Sequence, residues 1–254
     1  MGIYLNPGNG LFKIALNSEI YVDKTGMIAY TNSVICSEQR YVCVSRPRRF
    51  GKSMAANMLA AYYDRSCDSS ELFKNMKITQ DMSYERYRNQ FYVIQLNMQD
   101  FLSEASGIDE MIALLKKSVL WELLAAFEDI EYFDKTKLPR TMADIYQTSR
   151  IPFVILIDEW DCVFREYGED KEAQERYLDF LRNWLKDKEY IALAYMTGIL
   201  PIKKYGTHSA LNMFQEFSMT NPGTLAECQT AHCGRRKLHF DFGASASPTA
   251  QSCG

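Results

Sequence analysis

Ser45-Arg46-Pro47-Arg48-Arg49-Phe50-Gly51-Lys52-Ser53 is the stretch on which the reading of this chain turns. The apolar run Tyr41-Val42-Cys43-Val44 leads into it, and Met54 to Tyr63 leads out without a helix breaker. Strand, loop ending Gly-Lys-Ser, then helix is the layout of a phosphate-binding P-loop. The helix start would turn unpaired N–H groups and a positive dipole end toward the loop, where an anionic phosphate is stabilised. In that reading Lys52 reaches the β- and γ-phosphates and the Ser53 hydroxyl ligates Mg²⁺. Arg46 stands where the G-x-x-x-x-G-K-[ST] pattern has its first glycine, so the match is partial. A basic surface turn before a core helix is the plain alternative.

A second motif weighs against that alternative. Phe153-Val154-Ile155-Leu156-Ile157 runs into Asp158-Glu159-Trp160-Asp161. Five apolar residues ending in two carboxylates describe a central parallel strand with acids at its C-terminal end, a Walker B pattern. Asp158 would hold Mg²⁺ through its water shell, and Glu159 would act as general base on the attacking water. Its distance from the Gly-Lys-Ser loop suits two βα units.

Composition narrows the class. With 254 residues, 47% hydrophobic and 13% aromatic, the chain can bury one sizeable α/β core. A net charge of −3 does not advertise nucleic-acid binding. No apolar run approaches a membrane span and no export signal is read at the N-terminus. Seven scattered cysteines in a large domain favour reduced thiols and a cytoplasmic protein.

Further elements follow from periodicity. A turn-rich entry leads to a mixed segment, Leu11 to Ile20, and Met27 to Ile35 reads as a short helix. Asp23 and Lys24 between them are either a surface cap and ion pair or a frame for the adenine side of a nucleotide site. Glu71 to Met76 reads as a short helix, residues 77–90 as irregular, and 92–98 as a buried strand. Asp100 past that strand is a helix N-cap or a residue that orients water. Ile108 to Phe127 puts Met111, Leu114, Leu115, Val119, Leu123 and Leu124 on one face. Glu128 to Arg140 reads as a loop, and Met142 to Gln147 as a helical piece. Glu169 to Lys188 is a capped helix with Tyr177, Phe180, Leu181, Trp184 and Leu185 inward. Residues 190–196 form a strand closed by Thr197-Gly198, where Thr197 is either a sensor-like polar residue or a turn cap. Lys203, Lys204 and His208 fall in a polar loop. Cys228, His232, Cys233 and His239 lack the spacing of a zinc site, and residues 228–254 read as an irregular or disordered tail.

Four motifs in this order, Tyr21-Val22-Asp23-Lys24-Thr25, residues 45–53, Ile157-Asp158-Glu159-Trp160-Asp161 and Thr197 to Gly206, resemble the predicted bacterial AAA-ATPase-like family. Members of that family commonly carry a PD-(D/E)XK nuclease-like domain after the ATPase, and nothing similar follows here. Arg in place of the first glycine is normal in the family. The resemblance covers residues 3–227 and implies a three-layer P-loop NTPase of the additional-strand type with a mostly parallel sheet, its core at 39–206. It also implies ATP and Mg²⁺ as ligands. Arg46, Arg49, Phe50, Gly51, Lys52, Ser53 and Met54 are expected on the nucleotide, Ser53 and Asp158 on the metal, and Glu159, Lys52 and Thr197 in the reaction. A slow-hydrolysing switch acting on a partner domain or nucleic acid is the alternative function. A homo-oligomer is open, because sites of this kind are often completed by a neighbouring subunit.

Overall fold

In the computed structural model, which describes residues 2–202, 211–219, 221 and 223, five strands make one sheet. They are β1 (Tyr41–Ser45), β2 (Tyr92–Asn97), β3 (Phe153–Asp158), β4 (Ile191–Gly198) and β5 (Gln215–Phe217), in the order β2-β3-β4-β1-β5. Every pairing between them is parallel. The strand of the Gly-Lys-Ser loop and the strand of the Asp-Glu pair are thus separated by β4, which is the additional-strand arrangement. The short β5 was not expected; three residues carry no readable alternation.

β1, β3 and β4 are buried at every position, as strands covered on both faces must be. Alternate side chains enter two apolar layers. Tyr41, Cys43, Ile155, Ile157, Ala194 and Met196 face one, while Val42, Val44, Val154, Leu156, Leu193 and Tyr195 face the other. Among the described residues ten α-helices cover these faces. They are α1 (Gly10–Leu16), α2 (Gly26–Val34), α3 (Lys52–Tyr63), α4 (Ser70–Phe73), α5 (Tyr84–Tyr87), α6 (Met98–Glu104), α7 (Ile108–Ala126), α8 (Leu138–Ser149), α9 (Cys162–Glu166) and α10 (Lys171–Leu185). Helices α1 to α3 close the second layer, and α6 to α10 the first. No helix among the described residues is long and apolar enough to cross a membrane.

The site-bearing α3 owes its close approach to small residues. Ala55, Ala56, Ala60 and Ala61 are all buried, so the helix backbone lies near the sheet. On α10 the stripe Tyr177, Phe180, Leu181, Trp184 and Leu185 is buried as expected, and Asp170 caps the helix by accepting from Ala173 N at 2.9 Å.

Several local readings are corrected. Residues 77–90 hold a 3₁₀ turn, Lys77–Gln80, and helix α5, each pinned by one buried apolar residue, Ile78 or Tyr84. Elements that short escape a 3.6-residue period. Helix α8 begins at Leu138 rather than after Arg140, because Pro139 sits in its first turn, where its missing N–H is not needed. Asp100 caps nothing: Asn97 Oδ1 accepts from Gln99 N at 3.1 Å, and Asp100 follows in the first turn of α6. The buried face of α7 takes in Ile112 and Leu120, with Leu114 and Leu124 only half-buried. It also takes in Glu122, whose oxygens accept the N–H groups of Ile3, Tyr4 and Leu5 at 2.8, 2.9 and 2.7 Å. Lys203, Lys204, His208, Cys228, His232, Cys233, His239 and the segment 228–254 lie outside the described residues.

Candidate functional site

The C-terminal ends of β1, β3 and β4 gather the motif residues. β1 releases the chain at Ser45, and Arg46 N donates to Gly198 O at 2.9 Å, so the loop leaves from beside the end of β4. The loop then reverses through two left-handed residues, Arg49 (φ 70°) and Gly51 (φ 71°). Gly51 is the N-cap of α3 and has no side chain with which to cap it. The first N–H groups of a twelve-residue helix therefore face the loop without intrahelical partners, the arrangement that receives phosphate oxygens. A left-handed conformation is costly for most residues, and glycine is the residue that adopts it freely, which accounts for Gly51.

Lys52 is buried at the start of α3, and its Nζ donates to Pro47 O at 3.3 Å, folding back over the loop. The same Nζ lies 4.0 Å from Glu159 Oε1. Ser53, one residue on, is exposed at the helix start, and Met54 is half-buried beside Gly51. Arg48, Arg49 and Phe50 are exposed on the loop, whereas Arg46 is only 6% exposed. Among the described residues its Nη1 is buried without a hydrogen-bond partner.

On β3 the buried Asp158 points into the α3 layer. Thr197, fully buried at the end of β4, donates its hydroxyl to Asp158 Oδ1, and Glu159 N donates to the same oxygen at 3.0 Å. The Thr197 side chain thus bonds a carboxylate rather than capping a turn; its carbonyl accepts from Trp160 N at 3.1 Å. Glu159 takes φ 52°, left-handed for a residue with a long side chain, and this turns its carboxylate off the strand line. Arg165 of α9 meets it, Nη1 to Oε2 at 2.6 Å, and also donates to Gln99 Oε1 at 3.1 Å. Sequence reasoning missed Arg165; its only signal was a cation six residues beyond Glu159.

Asp161, fully buried, accepts Ile199 N at 3.1 Å and Leu200 N at 2.8 Å, fixing the chain as it leaves β4. Asp23 and Lys24 do not pair with one another among the described residues. Asp23 holds Thr25, and Lys24 Nζ donates to Phe50 O at 2.7 Å, bringing the 21–25 segment onto the loop. The structure therefore joins Lys24, Arg46, Lys52, Asp158, Glu159 and Thr197 around one loop. Arg49 and Phe50 stand at its rim.

No group of three or more His, Cys, Asp or Glu among the described residues is placed to cage a metal. The donors present suit a cation that keeps water and takes few protein ligands, as Mg²⁺ does. Both recorded hydrogen bonds to the Asp158 carboxylate fall on Oδ1, so the other oxygen is the one suited to a metal's water shell.

A search among curated proteins finds no match for the chain. A family model described as a predicted AAA-ATPase matches residues 11–207, which takes in the loop, the Asp-Glu strand end and Thr197 alike. On that match, and with a sheet order that agrees with it, the chain belongs to the predicted AAA-ATPase family.

Proposed function

We propose that this chain binds ATP on the loop 45–53 and hydrolyses it in the presence of Mg²⁺, by in-line attack of water. The observation that carries the reading is the approach of Lys52 Nζ to Glu159 Oε1, 4.0 Å apart at the end of the sheet. Phosphoryl transfer is catalysed by positioning and charge, so a phosphate-directed cation and a water-orienting base must share one place. The family description supports nucleotide binding and ATPase chemistry as the general class.

In this reading the N–H groups at the start of α3 and Lys52 hold the β- and γ-phosphates, with Arg46, Arg49, Phe50, Gly51 and Met54 completing the contacts. Glu159 accepts the proton of the attacking water, and ADP and phosphate are the products. Thr197 fixes Asp158 through its hydroxyl. Ser53 and Asp158 would hold Mg²⁺, which when bound neutralises charge developing on the phosphate oxygens.

A second reading, a slow-hydrolysing switch, is favoured by one contact. Arg165 holds Glu159 Oε2 at 2.6 Å, so the base must be released before it can serve water. A partner protein, a nucleic acid or a neighbouring copy would drive that release.

The test is Mg²⁺-dependent ATP binding and turnover by the full chain, beside Lys52→Ala and Glu159→Gln. Binding lost in Lys52→Ala, and binding without turnover in Glu159→Gln, is the expected result. Wild type that binds without turnover moves the assignment to the switch. A folded wild type that does not bind ATP overturns both.

A further inference from the structure

We infer that Lys24 is a phosphate-binding residue, forming with Arg46 a second cationic arm of the loop beside Lys52 and suiting the site to a triphosphate. The inference rests on the ATP reading above.

Lys24 is presented by a rigid turn. Asp23 Oδ1 accepts Thr25 N at 2.8 Å and Thr25 Oγ1 at 2.6 Å, and Asp23 Oδ2 accepts Lys77 N at 2.9 Å. The carboxylate next to Lys24 in sequence is thus spent on the backbone and on Thr25. Lys24 Nζ instead donates to Phe50 O at 2.7 Å, and a Cβ on Gly51 would lie 2.9 Å from it. The ammonium therefore rests on the two residues that precede Lys52. One of its three N–H donors is used on Phe50, which leaves donors for a ligand.

Arg46 gives the independent observation. Its side chain is 6% exposed and its Nη1 is buried with no partner among the described residues, an arrangement that a neutral or acid-free environment makes costly. No described carboxylate forms a salt bridge with Lys24 or with Arg46. Burial, and after it the charge of Arg46, pulls the Lys24 ammonium below its usual pKa, as expected of like charges gathered together. Three cations around one loop, with only Glu159 near Lys52, require an anion of high charge to balance them. A polyphosphate chain supplies it.

The competing account makes Lys24 a strap that only holds Phe50 in place. The two differ in the nucleotide-free protein. Removing a strap lowers its melting temperature, whereas removing one of two crowded cations does not. The experiment measures melting without ligand, and Kd for ATP and for inorganic triphosphate, in wild type, Lys24→Met and Lys24→Arg. The expected result is an undiminished melting temperature in Lys24→Met, a Kd raised about 10- to 100-fold for both ligands, and recovery of most of the affinity in Lys24→Arg. Kd within twofold of wild type in Lys24→Met overturns the inference, as does a lowered melting temperature or a loss confined to ATP. Each of these leaves the ATP reading standing. Wild type that binds neither ligand overturns that reading and this inference with it.

Discussion

Arg165 Nη1 lies 2.6 Å from Glu159 Oε2, while Lys52 Nζ lies 4.0 Å from the other oxygen of the same carboxylate. Glu159 is therefore shared between a cation of α9 and the cation at the start of α3. Its left-handed backbone, φ 52°, is held by what surrounds it: Asp158 Oδ1 on its N–H and Arg165 on its side chain. In a nucleotide-free site the acid and the two cations satisfy one another.

The strength of that sharing is measurable. A double-mutant cycle with Arg165→Ala and Glu159→Gln, followed by urea unfolding, is expected to give a coupling of about 1 kcal/mol, because the pair is short but partly open to water. Coupling indistinguishable from zero would show the contact to be incidental. Under the switch reading Arg165→Ala also raises turnover in the absence of any partner.

Thr197→Val keeps the shape of the side chain and removes its donor. Asp158 Oδ1 then retains only the Glu159 N–H. Stability is expected to fall by about 1–2 kcal/mol, and turnover by at least roughly tenfold with ATP still bound, since the metal-side carboxylate loses its orientation. Turnover equal to wild type in single-turnover kinetics would remove Thr197 from the site.

Gly198 ends β4 against a wall. A Cβ there would lie 2.6 Å from Asp161 Oδ1 and 2.7 Å from Trp160 Cδ1 and Nε1, and both neighbours are fully buried. Gly198→Ala is expected to cost about 2–3 kcal/mol and to lower the melting temperature by roughly 5–10 °C. An unchanged thermal transition would mean that Trp160 has room to move.

Stability should also fall steeply at alkaline pH. Burial raises the phenol pKa of Tyr63, Tyr177, Tyr190 and Tyr195 above the ordinary 10.0. The folded chain keeps these protons and the unfolded chain gives them up, so above pH 10 the unfolded state binds fewer protons and ΔG of unfolding decreases as pH rises. Below that pH the contribution is complete and level. Absorbance of ionised tyrosine at 295 nm should rise for this group only together with unfolding, and early ionisation in a folded chain would contradict the burial.

The parts of the site that lie in short, strongly patterned segments were legible beforehand. Lys52 and Ser53 follow from Gly-Lys-Ser between a strand and a helix, and Asp158 and Glu159 from an apolar run that ends in acids. Arg165 and Lys24 were not legible in the same way. The hydrogen bond from Lys24 to Phe50 spans twenty-six residues, and that from Arg165 to Gln99 spans sixty-six. No local period encodes a meeting of that kind.

The sequence by itself determined the strands β1 to β4, the loop between β1 and α3, and the acids at the end of β3, because alternation, helical period and glycine placement are properties of neighbouring residues. Tertiary structure alone decided that β4 enters between β1 and β3, which brings Thr197 to Asp158 and Gly198 to Arg46. It also decided that Glu159 is held by Arg165 and that Lys24 rests on the loop. These outcomes depend on which distant surfaces bury one another and which charges are left to find partners, and both are settled only when the sheet and its two apolar layers assemble.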